Sequence, residues 1–227
     1  MTGREFPKVY LKFEGRLLIN GKKRQYWIQD ATEDMFDELE DLSVNKFIGD
    51  EPTTRYMKMY DDPISLEEIR VIWRKFIDLK LTLVCLTKDD ENKTKIVAFN
   101  VLYLSNADDK TNYDLRGETS QRLFRMFKWL ENQRNFFEEF NIQCVMKSRG
   151  LYVLEDYRRE ALGERLLEAR EYMCRHLGIT ATLTTFTSFV SQKLAARLGF
   201  QDFYSVEYEE LGRIDPGMYI LFLRIKM

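Results

Sequence analysis

The chain has 227 residues, 44% hydrophobic and 14% aromatic, enough to bury one sizeable core, so a single domain over 1–227 is expected. Its 35 basic and 37 acidic residues leave a formal net charge of −2, which gives no electrostatic footprint for nucleic acid. Cys85, Cys144 and Cys174 form no CxxC pair, His176 is the only histidine, and no apolar run approaches membrane-spanning length; a disulfide framework, a protein-bound metal and a bilayer span are excluded.

Met1 to Phe13 carries no apolar signal core, and reduced thiols fit a soluble cytoplasmic protein, expected to be a monomer without membrane partners. Arg16 to Ile19 and Arg24 to Gln29 flank Asn20-Gly21, a dipeptide suited to positive φ, and predict a hairpin within about residues 8–29. A helix follows, capped by Asp30 or Thr32, with Met35, Phe36, Leu39, Leu42 and Phe47 at helical spacing and Pro52 breaking it. Ser65 to about Leu79 reads as a second helix with Ser65 as its cap. Leu81 to Leu86 and Ile96 to Leu104 read as strands joined by the charged turn Lys88 to Lys93, and Thr119 to Phe140 as a third helix. Cys144 to Val153 is extended and leads through Tyr157 to Gly163 into a helix ending near His176 and Gly178. Ala181 to Thr185, Phe203 to Tyr208 and Tyr219 to Ile225 are further strands, and Ser188 to Leu198 a short helix. The order is mixed α and β.

The strand, turn and helix around Arg158-Arg159-Glu160-Ala161-Leu162-Gly163 form a natural anion seat. The first N–H groups of a helix lack intrahelical partners and carry the positive end of its dipole. Arg, two residues, a small residue, one residue and Gly is a spacing similar to the coenzyme A signature of the acyltransferases related to the Gcn5 N-acetyltransferases. Ser191 to Phe200, ending in Leu-Gly-Phe, resembles their second coenzyme element. Arg24 to Asp34 followed by Asp50-Glu51-Pro52 is similar to the insect-type arylalkylamine N-acyltransferases, a likeness that covers roughly Tyr10 to the C-terminus.

The resemblance implies the fold of that superfamily, a central mixed, mostly antiparallel sheet flanked by helices. It also implies transfer of an acetyl or other acyl group from acetyl-CoA to the primary amine of a small biogenic amine, with coenzyme A as co-substrate and no metal. Glu51 takes the general-base position by resemblance. Read from the residues alone, it is equally a solvated helix terminus, with Asp50 beside it able to attract an ammonium. Thr187 and Ser191, four residues apart, match a hydroxyl pair that affects catalysis in the family, and the spacing predicts one helical face. They and Ser188 serve as either cap or coenzyme contact. Leu151, Tyr152 and Val153 are expected to pair with the pantetheine arm, and residues Arg158 through Glu164 to hold the pyrophosphate.

Three departures qualify the likeness. Ala161 puts a methyl group where Gly is commoner. Glu160 and Glu164 must turn away from the diphosphate or weaken its binding. Arg55 disfavours an acceptor with a second cation. A non-catalytic coenzyme-binding module and a peptide or protein N-acetyltransferase are the rival readings. His176 reads as a complement to its helix dipole rather than an acid–base group.

Overall fold

In the computed structural model, residues 4–109, 112–206 and 221–226 are described. Asn20 and Gly21, with φ of 51° and 75°, join β1 (Val9–Ile19) to β2 (Lys22–Asp30) as the hairpin pattern requires. β1 begins earlier than the sequence reading placed it, because Leu11 and Phe13 already pair with Ile28 and Tyr26. A register shift between Glu14 and Leu18 bulges the strand.

The remaining strands are β3 (Leu83–Lys88), β4 (Thr94–Asn106), β5 (Cys144–Val153), β6 (Thr182–Phe186), β7 (Gln201–Val206) and β8 (Leu221–Lys226). They form one eight-stranded sheet in the order β1-β2-β3-β4-β5-β6-β8-β7, in which only the β5–β6 pair is parallel. Tyr208 and Tyr219, read as ends of the last two strands, lie outside the described residues.

Period-two alternation gives the sheet two buried faces. On β4, Phe99 and Val101 pack with Trp73, Ile72 and Leu123 on one side, whereas Ala98 and Leu102 join Leu162, Leu166 and Met173 on the other. The first side is covered by α4 (Pro63–Ile77) and α5 (Glu118–Glu131), the second by α7 (Leu162–Leu177), which ends at Gly178 in the left-handed conformation. His176 lies in the last turn of α7, as its spacing predicts.

Several predicted boundaries shift for identifiable reasons. Asp30 does not cap a helix: it ends β2, fully buried, bound by Arg4 at 2.8 Å and by the Lys8 amide at 2.9 Å. Thr32 precedes a short 3₁₀ turn without a side-chain cap bond. α1 (Phe36–Leu42) runs through a π-helical turn at Ser43–Phe47 into α2 (Ile48–Asp50). Pro52 then opens α3 (Pro52–Tyr56) as well as closing what precedes it: the residue before proline is pushed out of the helical region, and proline itself suits a first helical position. The predicted 119–140 helix divides into α5 and α6 (Phe136–Phe140), because Asn135 stops the chain and caps the second piece through the Glu138 amide.

Asp62, not Ser65, caps α4. Its carboxylate accepts from the Ser65 amide (3.1 Å), the Ser65 hydroxyl (2.6 Å) and, across to the start of α5, the Thr119 amide (3.0 Å). The Ser65 hydroxyl bond first, and the two amides after it, hold the Asp62 carboxyl down at about 2 against an ordinary 3.8. A depressed folded-state pKa stabilises above the unfolded value, and that contribution is lost as pH falls from about 4 toward 2. The stability gap between the wild type and Asp62→Asn is therefore expected to be constant above pH ~5 and to shrink below pH ~4, as read from paired melting curves.

Candidate active site

β5 is bonded to β4 along its length but meets β6 only where Met146 and Lys147 face Thr182 and Leu183. Past that point the two parallel strands part. Arg170 of α7, fully buried, spans the fork: it donates to the Thr184 hydroxyl (2.6 Å) and to the carbonyls of Met146 (2.8 Å) and Leu183 (3.3 Å). Burial pushes its pKa down to about 10, and no carboxylate among the described residues pairs with it.

The fork opens into a cleft of about 1980 Å³ reaching from the start of α7 to α4 and α5. The Leu154 amide donates to the Val97 carbonyl of β4 at 3.0 Å, so strand alternation turns the N–H and C=O of Val153 and Leu151 toward the unpaired edge. Tyr152 faces β4 through its backbone, and its ring packs edge-on against Phe47 at 6.3 Å. Of the three residues expected to meet pantetheine, the backbone of two is exposed to the cleft.

At the turn into α7, Arg159 and Ala161 both take left-handed φ, 69° and 65°. Left-handed residues alternating with right-handed or extended ones gather successive N–H groups into an anion-binding concavity at the helix N-terminus. Ala161 is the N-cap of α7 and makes no side-chain cap bond. Its methyl group carries the steric cost of that conformation, about 1–2 kcal/mol. Ala161→Gly is expected to raise stability by on the order of 1 kcal/mol, measured by denaturant midpoint at unchanged m-value. Gly163, one residue into the helix, lies where a Cβ would come within 3.1 Å of Leu194 of α8 (Phe189–Arg197), so α7 and α8 close tightly there.

The two glutamates of the turn differ: Glu160 is withdrawn from the cleft, whereas Glu164 lines it with its charge met by arginines. Glu160 is 2% exposed and accepts from the Arg16 amide (2.5 Å), the Leu17 amide (2.9 Å) and the Tyr26 hydroxyl (3.4 Å), filling the β1 bulge. Glu164 is engaged by Arg16 at 2.5 Å and Arg197 at 3.8 Å.

Across the cleft, Glu51 stands in an extended link (φ −69°, ψ 125°) between α2 and α3. Its Oε2 accepts from the Thr54 amide (2.8 Å) and hydroxyl (3.0 Å), while Oε1 is buried without a partner. One oxygen thus caps α3 and the other is buried without a partner, so Glu51 is not the fully solvated terminus of the plainer reading. Asp50 beside it accepts from the Tyr152 hydroxyl and from Arg158, each at 2.7 Å. The tyrosine bond first, and Arg158 after it, hold the Asp50 carboxyl below the usual carboxylate range. Arg158 also donates to the Val153 carbonyl at 3.2 Å and so ties the α2 corner to the end of β5.

Ser188 and Ser191 form a reciprocal capping box on α8, with their hydroxyls 2.9 Å apart. Thr187 does not share a helical face with Ser191, contrary to the spacing argument: Ser188 is the cap, so Thr187 lies before the helix begins. All three line the cleft. Sequence reasoning missed two neighbours. Thr54 was detectable, since Glu-Pro-Thr-Thr is a cap followed by a first-position proline. Arg149 had only a weak signal, one of two charged residues, with Lys147, in a half-buried extended run.

Among the described residues no group of three His, Cys, Asp or Glu could hold a metal ion, and no helix is long and apolar enough to cross a membrane. No curated protein matches the sequence. Solved structures do match. A protein of the yellow fever mosquito Aedes aegypti, classed as an insect arylalkylamine N-acetyltransferase 7, is 25% identical with a TM-score of 0.91, covering 100% of this chain and 97% of its own. Arylalkylamine N-acetyltransferase 2 of the same mosquito is 16% identical with a TM-score of 0.75, covering 89% and 98%. A Drosophila melanogaster polyamine N-acetyltransferase that forms N-acetylagmatine is 16% identical with a TM-score of 0.71, covering 88% and 99%. The model of the acetyltransferase (GNAT) family matches residues 36–200, and with the parted strands and the anion-binding turn already in place, the chain belongs to that family.

Proposed function

We propose that the protein is an acetyl-CoA-dependent N-acetyltransferase of small primary amines, a cytosolic enzyme working by direct attack in a ternary complex. The observation that carries this reading is the unpartnered, buried Oε1 of Glu51 in the same cleft as the open edge of β5. An amine is an ammonium near neutral pH and cannot attack a thioester until it loses a proton. Glu51 Oε1 accepts that proton while Thr54 keeps Oε2 fixed, so the carboxylate is oriented before substrate arrives.

The donor suits the opposite wall. The N–H groups of the Arg159 to Gly163 turn receive the pyrophosphate, and the outward peptide groups of Leu151 and Val153 receive the pantetheine arm. The Val153 N–H is directed at the thioester carbonyl, where it stabilises the negative charge that grows on oxygen as nitrogen attacks carbon. The new N–C bond forms, the C–S bond breaks with its electron pair leaving on sulfur, and the second proton of the attacking nitrogen passes to that thiolate, giving the amide and coenzyme A thiol. Ser191, with Ser188 and Thr187 beside it, supplies hydroxyl hydrogen bonds to the departing thiolate.

Thiol release from acetyl-CoA on addition of primary amines tests the reading. Release that saturates with amine is expected; none across a broad panel of amines, peptides and acyl chains would overturn it. A protein that only binds coenzyme would gain melting temperature with acetyl-CoA and release no thiol.

A further inference from the structure

Arg149 lines the cleft on the side of α4 and α5. Its guanidinium carbon lies 4.4 Å from the ring centre of Phe76, 5.3 Å from Tyr103 and 5.6 Å from Phe124, so three rings hold it in place. Its Nε is buried without a hydrogen-bond partner, and no carboxylate among the described residues forms an ion pair with it. The neighbouring hydroxyl is that of Tyr113, whose pKa is raised by burial although the charge of Arg149 and a hydrogen bond from its side chain act to lower it. A guanidinium offers five donors. Leaving the Nε donor desolvated is costly, and aromatic faces satisfy the charge without accepting an in-plane hydrogen bond from it. An apolar residue would pack this cage at lower cost, so the cation is suited to something that enters the cleft.

The surroundings favour an anion. α4 and α5, which carry Phe76 and Phe124, also line the cavity with Lys75, Arg125 and Lys128, while the nearby Glu131 is engaged by Lys147 at 2.8 Å. From Glu51 the route to Arg149 is aromatic. The Glu51 amide bonds the Phe47 carbonyl at 2.8 Å, and the Phe47 ring lies 5.1 Å from Trp73. Trp73 and Phe76 are one turn apart on α4, and side chains so spaced are about 5–6 Å apart at Cβ.

We propose that Arg149 is a specificity-determining residue that binds a carboxylate at the far end of the acceptor, so that the preferred substrate is a primary amine joined through an aromatic or aliphatic body to an anionic group. The inference rests on the amine acetyltransferase reading for its catalytic consequence, but the anion subsite exists independently of turnover. Glu51 and Arg149 then form a charge-matched pair of ends, one for the amine and one for the carboxylate, with Phe47 and Trp73 between them. An acceptor with a second cation in place of the carboxylate meets Arg149 directly and is rejected.

The test uses three matched acceptors on the full chain: 4-(2-aminoethyl)benzoate, its neutral carboxamide, and 2-phenylethylamine. With acetyl-CoA, the carboxylate is expected to exceed both others in kcat/KM by roughly 10–100-fold, the range of a charge-assisted hydrogen-bonded pair. Arg149→Met keeps the apolar packing and should erase that preference while changing 2-phenylethylamine by no more than about 3-fold. The melting temperature of the coenzyme A-bound protein with each compound supplies a readout that needs no turnover; the carboxylate should stabilise the wild type and not the variant. Equal kcat/KM for carboxylate and carboxamide in the wild type, or an equal loss for all three acceptors in Arg149→Met, overturns the subsite and leaves acyl transfer standing. Selective stabilisation by the carboxylate with no thiol released overturns acyl transfer and leaves the subsite standing.

Discussion

Glu51→Gln should lower kcat by about 10²–10⁴-fold, the usual contribution of a positioned general base, while coenzyme A binding stays intact. Glutamine is the informative replacement because its carbonyl oxygen can still accept from the Thr54 amide and keep α3 capped, whereas alanine removes the cap as well and costs about 1 kcal/mol of stability. If Oε1 serves as the base, the loss should fall on kcat and kcat/KM alike, and raising the pH should recover part of it as more of the amine arrives uncharged. A variant with near-normal turnover would reduce Glu51 to a helix cap. A variant that unfolds or loses coenzyme binding would assign it a purely structural role.

Glu160→Ala should be the most damaging substitution in the turn before α7, although this side chain does not line the cleft. Removing the carboxylate strips the part-buried amides of Arg16 and Leu17 of their acceptor and leaves a void where a Cβ on Gly15 would come within 2.5 Å of the present Glu160 oxygen. An unsatisfied buried amide costs about 1–3 kcal/mol, and two part-buried ones fall in the lower part of that range, so a total of roughly 2–4 kcal/mol is expected. For a chain of this size that corresponds to a fall of roughly 5–15 °C in melting temperature. Glu160→Gln, which keeps one acceptor oxygen, should recover about half. A calorimetric shift under about 2 °C for Glu160→Ala would mean that the bulge finds other partners.

How much of this was legible in the residues depends on how local each signal is. The hairpin at Asn20-Gly21, the β5 boundaries and the end of α7 at Gly178 follow from conformational preferences confined to a few residues, and they agree with the structure. Cap positions were less secure, because a cap is decided by which carboxylate reaches which amide. Asp62 takes α4 from Ser65 by also holding the start of α5, a contact 57 residues away. The destination of Glu160 was readable only as a constraint, that it should avoid the phosphate side; its partners lie 143 and 144 residues earlier, in a strand bulge with no local signature. The Thr187 and Ser191 pairing failed because four-residue spacing is informative only inside a helix, and the helix starts one residue too late. Arg149 depends on rings from α4, α5 and β4 meeting at one point, which no periodicity along one segment displays.

The β1–β2 hairpin has a bearing on where the catalytic unit can be cut. The family match begins at residue 36, so the hairpin falls outside the segment shared across the family and would be the natural portion to trim or exchange in a chimera. Yet the bulge between Glu14 and Leu18 is the socket into which the turn of the anion-binding site is plugged. A graft that carries only residues 36–200 would move the amides of the turn before α7 without the bulge that holds Glu160. The transferable module of this enzyme is therefore longer than its match to the family model, and backbone amides at Arg16 and Leu17 should exchange with deuterium more slowly when coenzyme A is bound, reporting donor occupancy from a strand outside that match.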